Sequence, residues 1–184
     1  MIHRNYLPTV LATFVMCAAI LPASGYAATA ESSATTANDL PEPDKSFVQA
    51  ATMASSNEIT AGDFALNKSH NTDVENYAKR MMSEHRIMAV KLKAAVPLSA
   101  RAPMGNVDAA MVNALKDKQS DAFNMAYIKT VALEGHKTAI AAFENEASNG
   151  KNSSLRAFAA KQLPELREHY RMAQELAKKN HVLE

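Results

Sequence analysis

Four ionisable side chains interrupt four apolar stripes of this sequence, one in each. Glu58 falls four residues after Ala54 and three before Ala61, and His85 lies between Met81 and Met88. His136 falls four after Ala132 and four before Ile140; His169 falls three after Leu166 and four before Ala173. Spacings of three and four keep each residue on the helix face that its apolar neighbours occupy, so each is expected to turn toward a core. Three imidazoles and one carboxylate each offer a lone pair, and such a set can bind Zn, Fe, Mn or Cu. A buried carboxylate left alone costs several kcal/mol, so Glu58 must be paired, metal-bound or protonated. The competing reading is a metal-free, hydrogen-bonded Glu–His cluster that sets helix register and titrates with the surrounding pH. The Glu-x-x-His pairs of di-iron carboxylate bundles are absent, which disfavours a ferroxidase.

The elements that must position these residues read as four long helices. The first runs over Ser46–Ser69, with Phe47, Ala50, Ala51, Ala54, Ala61 and Ala65 in line. A capping box of Thr72 and Glu75 opens the second, whose stripe is Val74, Ala78, Met81, Met88 and Leu92. Ser120 caps the third, which carries Met125, Ile128, Ala132, Ile140 and Phe143 inward and ends at Asn149-Gly150, residues that tolerate a left-handed terminus. Ser153 or Ser154 starts the fourth, with Leu155, Phe158, Leu166, Ala173 and Leu176 aligned. Helices of this kind are ~35–40 Å long at 1.5 Å per residue, enough for a bundle. Residues 98–119 contain a short helical piece around Asp108–Lys118, and this connection can run the bundle's length. A crossover between two hairpins and a simple up-down chain are both open on length alone.

Counting from the turns puts Glu58 and His85 within ~3 Å of one height, and His136 and His169 within ~7 Å. Gly62, Gly135 and Pro164 lie near that layer. Interior Gly costs ~1 kcal/mol and interior Pro ~3 kcal/mol against Ala, so they point to close backbone approach, a kink or tight packing. Glu84, Glu134, Glu144, Glu165 and Glu168 are candidates for hydrogen bonds to the histidines; Glu75–Lys79 reads as a surface pair. Tyr77, Tyr127 and Tyr170 could reach the polar layer or simply pack. The methionines lack a Met-x-x-Met cluster and read as core filler.

Composition limits the function classes. Lys plus Arg number 20 against 19 Asp plus Glu, with no Trp, 6% aromatic residues and 5 Gly. A net charge of +1 argues against nucleic acid as a partner, and the scarcity of turn and aromatic residues argues against β architecture. Arg4, the apolar run Leu7–Leu21 and small residues at Gly25 and Ala27 form a secretory signal, expected to be cut after Ala27. The run is shorter than the ~20 residues of a membrane span. The expected organisation is a signal peptide at 1–27, a disordered leader at 28–44 and a helical domain at 45–180. The one cysteine, Cys17, leaves with the signal, so no thiolate site is expected in the mature chain. The expected compartment is the periplasm or another exported location.

Phe47 with Glu58, Met82-Ser83-Glu84-His85, Phe123-Asn124-Met125-Ala126-Tyr127 with His136, and Leu163-Pro164-Glu165-Leu166-Arg167-Glu168-His169 resemble the bacterial exported domain-of-unknown-function family 4142. The resemblance spans about residues 45–179 and implies a ferritin-like bundle in the cell envelope, with no activity attached. Two positions depart from the family pattern: Glu84 stands for an Asp, and Asn124 for the Asp of a Phe-Asp-x-x-Tyr motif. The expected fold is thus all-α, a ferritin-like four-helix bundle with a short extra helix between helix pairs. The expected function is an exported, non-enzymatic bundle that binds a metal through Glu58, His85, His136 and His169. The alternative is an envelope stress or interaction module in which the Glu/His cluster is only structural. A metal-dependent oxidoreductase is the third class, and it requires an open coordination position.

Overall fold

In a computed structural model of the chain, residues 40–98 and 106–182 are described. The expected signal peptide at 1–27, with Cys17, and most of the expected leader lie outside them. Helix α1 spans Glu42–Lys68, α2 Thr72–Ala95 and α3 Ala109–Leu115. Helix α4 spans Ser120–Tyr127, α5 His136–Asn149 and α6 Ser153–Lys179. A π-helical segment, Ile128–Gly135, runs directly from α4 into α5. Among the described residues there is no strand, and the short helix expected in the long connection is α3.

Several local expectations are corrected. Helix α1 begins at Glu42 rather than Ser46, because Pro43 fits a first turn and the acids Glu42 and Asp44 suit a helix start. Leu40 and Asp44, assigned to the leader, are buried. The cap of α2 is Asn71, whose side chain accepts from the amides of Asp73 and Val74, in place of the Thr72–Glu75 box. Gln119, not Ser120, occupies the cap position of α4 and makes no side-chain bond there. Gly150 has φ −54°, so the α5 terminus is not left-handed. A Cβ at Gly150 would run into the Glu146 carboxylate, and that close approach is what the glycine permits.

Hydrogen bonds at the ends of the rods define the topology. Asp44, near the start of α1, accepts from the amides of Lys151 and Asn152 at 2.8 and 3.0 Å, which sets α1 against the end of α5. Ser69, just past the end of α1, donates to Asn124 in α4 at 2.6 Å. The rod α4–π–α5 is therefore antiparallel to α1. Asn71 donates to Asn180 at 2.8 Å, which sets the start of α2 against the end of α6. It follows that α2 and the α4–π–α5 rod run the same way, and the chain must return from one end of the bundle to the other between them. On that return the Asp108 amide donates to Asn57, midway along α1, and Lys68 at the end of α1 donates to the Lys116 carbonyl.

The core falls into two apolar clusters. One gathers Ala61, Val74, Met81, Phe123, Tyr127 and Leu176; the other gathers Phe47, Met88, Leu92, Phe143, Leu155 and Leu166. On every rod the interval between the two clusters contains one of these residues: Glu58, His85, His136 or His169. The four side chains form a polar layer between two hydrophobic halves.

Candidate metal centre

All four predicted residues are buried: Glu58 is 4% exposed, and His85, His136 and His169 are 1% exposed each. The three imidazoles converge, with ring centroids 5.5 Å apart for His85–His136, 5.4 Å for His85–His169 and 5.3 Å for His136–His169. The planes are inclined at 67°, 47° and 89°, so the rings meet by edges and do not stack. One nitrogen from each ring lies within 4.8 Å of the others.

The hydrogen bonds assign nitrogens to roles. The Nδ1 atom of His136 donates to the Ala132 carbonyl at 3.0 Å, which leaves the lone pair on Nε2. That Nε2 faces Nε2 of His85 at 3.4 Å. Glu58 Oε1 lies 3.3 Å from His136 Nδ1, on the far side of the ring from His85. The Tyr77 hydroxyl is 3.5 Å from the same Nδ1 and donates to the His169 carbonyl at 3.5 Å. His169 Nε2 donates to Glu84 Oε2 at 2.6 Å, so its lone pair is on Nδ1. His169 Nδ1, His85 Nδ1 and Glu58 Oε2 are buried without a hydrogen-bond partner. Glu58 thus supports His136, and the convergent set is the three histidines.

Burial dominates the electrostatics. It pushes the Glu58 carboxyl up to about 8, so the group holds its proton at neutrality. Burial also holds His136 down to about 3, with His169 adding to the effect and the bond to Ala132 opposing it. His85 is lowered by burial, then by the other two rings. His169 is lowered by burial against the opposing pull of Glu84. The layer is therefore built of neutral imidazoles, the form in which a lone pair is available for coordination.

The approach is produced by backbone features. In the π segment, i→i+5 bonding lengthens the turn, so inward positions recur at roughly four to five residues instead of 3.6. This overturns the placement of Met125 on the inward stripe: Met125 is 55% exposed, while Phe123, Asn124 and Tyr127 are buried. Segments of this type concentrate at functional sites, and this one ends one residue before His136. At Gly62 a Cβ would overlap the Met82 side chain, so this glycine permits close approach of α1 and α2. At Gly135 a Cβ would sit 3.8 Å from Glu58 Oε1, an ordinary contact.

Of the five acids considered as outer partners, Glu84 bonds His169, and Glu165 falls with Glu84 and His169 in a second group within 4.8 Å. Gln162 holds Glu165 at 2.7 Å. Glu134, Glu144 and Glu168 are tied to Lys137, Arg167 and Arg171 at the surface. Glu75 and Lys79 pair at 3.7 Å. Sequence reasoning missed the buried acid pair Asp44 and Glu146. Burial and then the Asp44 charge push Glu146 up to about 7. Its signal was available, since Glu146 lies three residues after the inward Phe143.

A match to the family described as "Domain of unknown function (DUF4142)" covers residues 29–176, well over half of the chain. No curated protein and no solved structure matches the chain.

Proposed function

Because the chain belongs to the DUF4142 family, a membership that assigns no activity, we propose from geometry that it is an exported bundle holding a divalent metal in its core. One observation carries the reading: His85 Nε2 and His136 Nε2 face each other at 3.4 Å. Two nitrogens at 2.0–2.1 Å from one tetrahedral ion lie ~3.3 Å apart. As a hydrogen bond the same distance is long, since N–H donors usually sit at ~2.9–3.0 Å from their acceptors. His169 Nδ1, buried with a free lone pair, is the third donor.

The ligands are His85, His136 and His169. Glu84 holds the opposite nitrogen of His169, the arrangement by which an outer carboxylate fixes an imidazole's tautomer, while the Ala132 carbonyl, with Glu58 beside it, holds that of His136. An all-nitrogen set suits Zn, Cu or Fe better than Mn. Three protein ligands leave room for a fourth donor, so Glu58 ligates directly only by replacing its contact with His136.

Export follows from the signal reading of residues 1–27; among the described residues no helix is long and apolar enough to cross a membrane. The parallel run of α2 and the α4–π–α5 rod supports a ferritin-like crossover bundle.

Isothermal titration of untagged, chelator-stripped protein with Zn²⁺ tests the site. One ion per chain, lost in His136→Ala, is the expected result. Absence of binding, with His136→Ala only lowering stability, would return the cluster to a structural role in an interaction module. Fusing residues 1–40 to a reporter that is active only outside the cytoplasm tests export.

A further inference from the structure

Helix α2 turns Met81, His85, Met88 and Leu92 inward. The opposite face of its second half is not polar. Ile87, Val90 and Ala94, spaced by three and four residues, form an exposed stripe there, with Ile87 50% and Val90 70% exposed. Leu98, just beyond the helix, is 78% exposed. An amphipathic helix ordinarily carries charge on the line farthest from the core, so this stripe holds apolar surface in water at a cost.

The charges beside the stripe have one sign. Between Glu84 and Leu98 the chain carries Arg86, Lys91 and Lys93 and no Asp or Glu, in a molecule whose net charge is only +1. All three are exposed. Helical geometry puts Lys91 on one side of the stripe and Arg86 and Lys93 on the other. The nearest acids are already engaged: Glu165 of α6 by Lys91 at 3.7 Å and by Gln162, Glu84 by Arg80 and His169. Among the described residues Arg86 and Lys93 have no ion-pair partner.

We propose that this face of α2 lies on an anionic phospholipid surface. Ile87, Val90 and Leu98 enter the boundary between headgroups and acyl chains. The three cations stay at the level of the phosphates, their alkyl stems lying alongside the apolar residues. Cations on both sides of an apolar line, instead of converging on one point, match a plane of phosphates better than a single carboxylate. Each cation near such a surface strengthens binding about fivefold, and the attraction fades within a Debye length, so the contact is reversible and salt-sensitive. No helix among the described residues is long and apolar enough to span a bilayer, which limits this contact to the surface. The proposal needs no metal in the core.

The chain contains no Trp, so Val90→Trp places a single fluorescent reporter on this face without touching the core. Full-length protein carrying it is titrated with vesicles of phosphatidylglycerol and phosphatidylcholine in equal parts, and with phosphatidylcholine alone. A blue shift on the anionic vesicles only, reversed by high salt, is expected. Met125→Trp, at a 55% exposed position of α4, should show no shift, which separates this face from contact through the apolar run Leu7–Leu21. Because Trp itself favours interfaces, the charge variants are built on the Val90→Trp background. Arg86→Gln with Lys93→Gln should raise the lipid concentration at half-shift by about 25-fold, about fivefold per charge. No shift on anionic vesicles, an equal shift on neutral ones or from Met125→Trp, or a midpoint unmoved by charge removal would each overturn the proposal. A blue shift that grows with protein concentration without vesicles would give the face to a second copy of the chain and overturn it as well. Every substituted side chain is exposed, so the variants keep the core that folds the wild type.

Discussion

Nε2 of His85 and Nε2 of His136 lie 3.4 Å apart at the boundary between the two apolar halves of the bundle. The contact joins α2 to the rod that runs parallel to it, and His169 of α6 closes the group. Three neutral bases with lone pairs toward one volume are poor neighbours unless protons or an ion lie between them. Glu58 and Glu84 stand behind two of the rings, where each stabilises the proton on the outer nitrogen.

This division of labour gives a graded series. Loss of a proposed ligand in His85→Ala or His136→Ala should weaken Zn²⁺ binding by more than ~100-fold. Glu58→Gln and Glu84→Gln should weaken it by ~10–100-fold, the range for outer partners of metal-bound histidines. Calorimetry on the four variants checks the order. Should Glu58→Gln cost as much as a lost histidine, Glu58 is itself a ligand.

The π segment sets the facing of His136. A π turn holds about one residue more than an α turn, so deleting Lys129, an exposed residue within it, should let the rod revert to regular α-helix while α4 and α5 keep roughly their present facing. Phe123 and Tyr127, both fully buried, would still share the core with Phe143, and the change should fall on His136 beside the segment. We expect cooperative urea unfolding with weakened Zn²⁺ binding. A deletion variant that retains wild-type Zn²⁺ affinity would show that the π geometry is incidental.

Glu146 should make stability depend on pH. Its folded-state value near 7 exceeds the 4.5 of a solvated carboxyl, so between those values the folded chain keeps a proton that the unfolded chain releases. Stability from this group is full below about 4.5 and declines as pH rises toward 7. Gln at this position cannot titrate, so the stability of Glu146→Gln relative to wild type should climb from pH 5 to 7.5. Glu58 is common to both proteins and cancels in the comparison. Parallel unfolding curves across this range would refute the assignment.

Close approach of α1 and α2 depends on Gly62. Gly62→Ala removes a backbone-entropy cost of ~1 kcal/mol but drives a methyl group into Met82, and overpacking typically costs ~1–3 kcal/mol. A net fall in melting temperature is expected. In Gly62→Ala/Met82→Ala the two changes should be far less than additive, because the second makes room for the first. Strict additivity in thermal unfolding would mean that these residues do not touch.

Much of this arrangement is written in the order of residue types. Apolar spacing of three and four identifies the helices, and one polar residue per stripe identifies the layer, because burial on a helix face depends only on local periodicity. Glu58, His85, His136 and His169 could therefore be picked out without coordinates. Periodicity does not carry the phase slip of a π turn, and so Met125 was placed inward when Phe123 and Asn124 take that face. Nor does it carry which ring nitrogen faces which neighbour. The placement of Glu58 behind His136 rather than among the convergent nitrogens depends on contacts between rods far apart in sequence. So do the pairing of Glu84 with His169 and the burial of Glu146 beside Asp44. Those contacts exist only once the chain has crossed the length of the bundle and the rods have packed. For that reason the local pattern determined the candidates, while packing decided their roles.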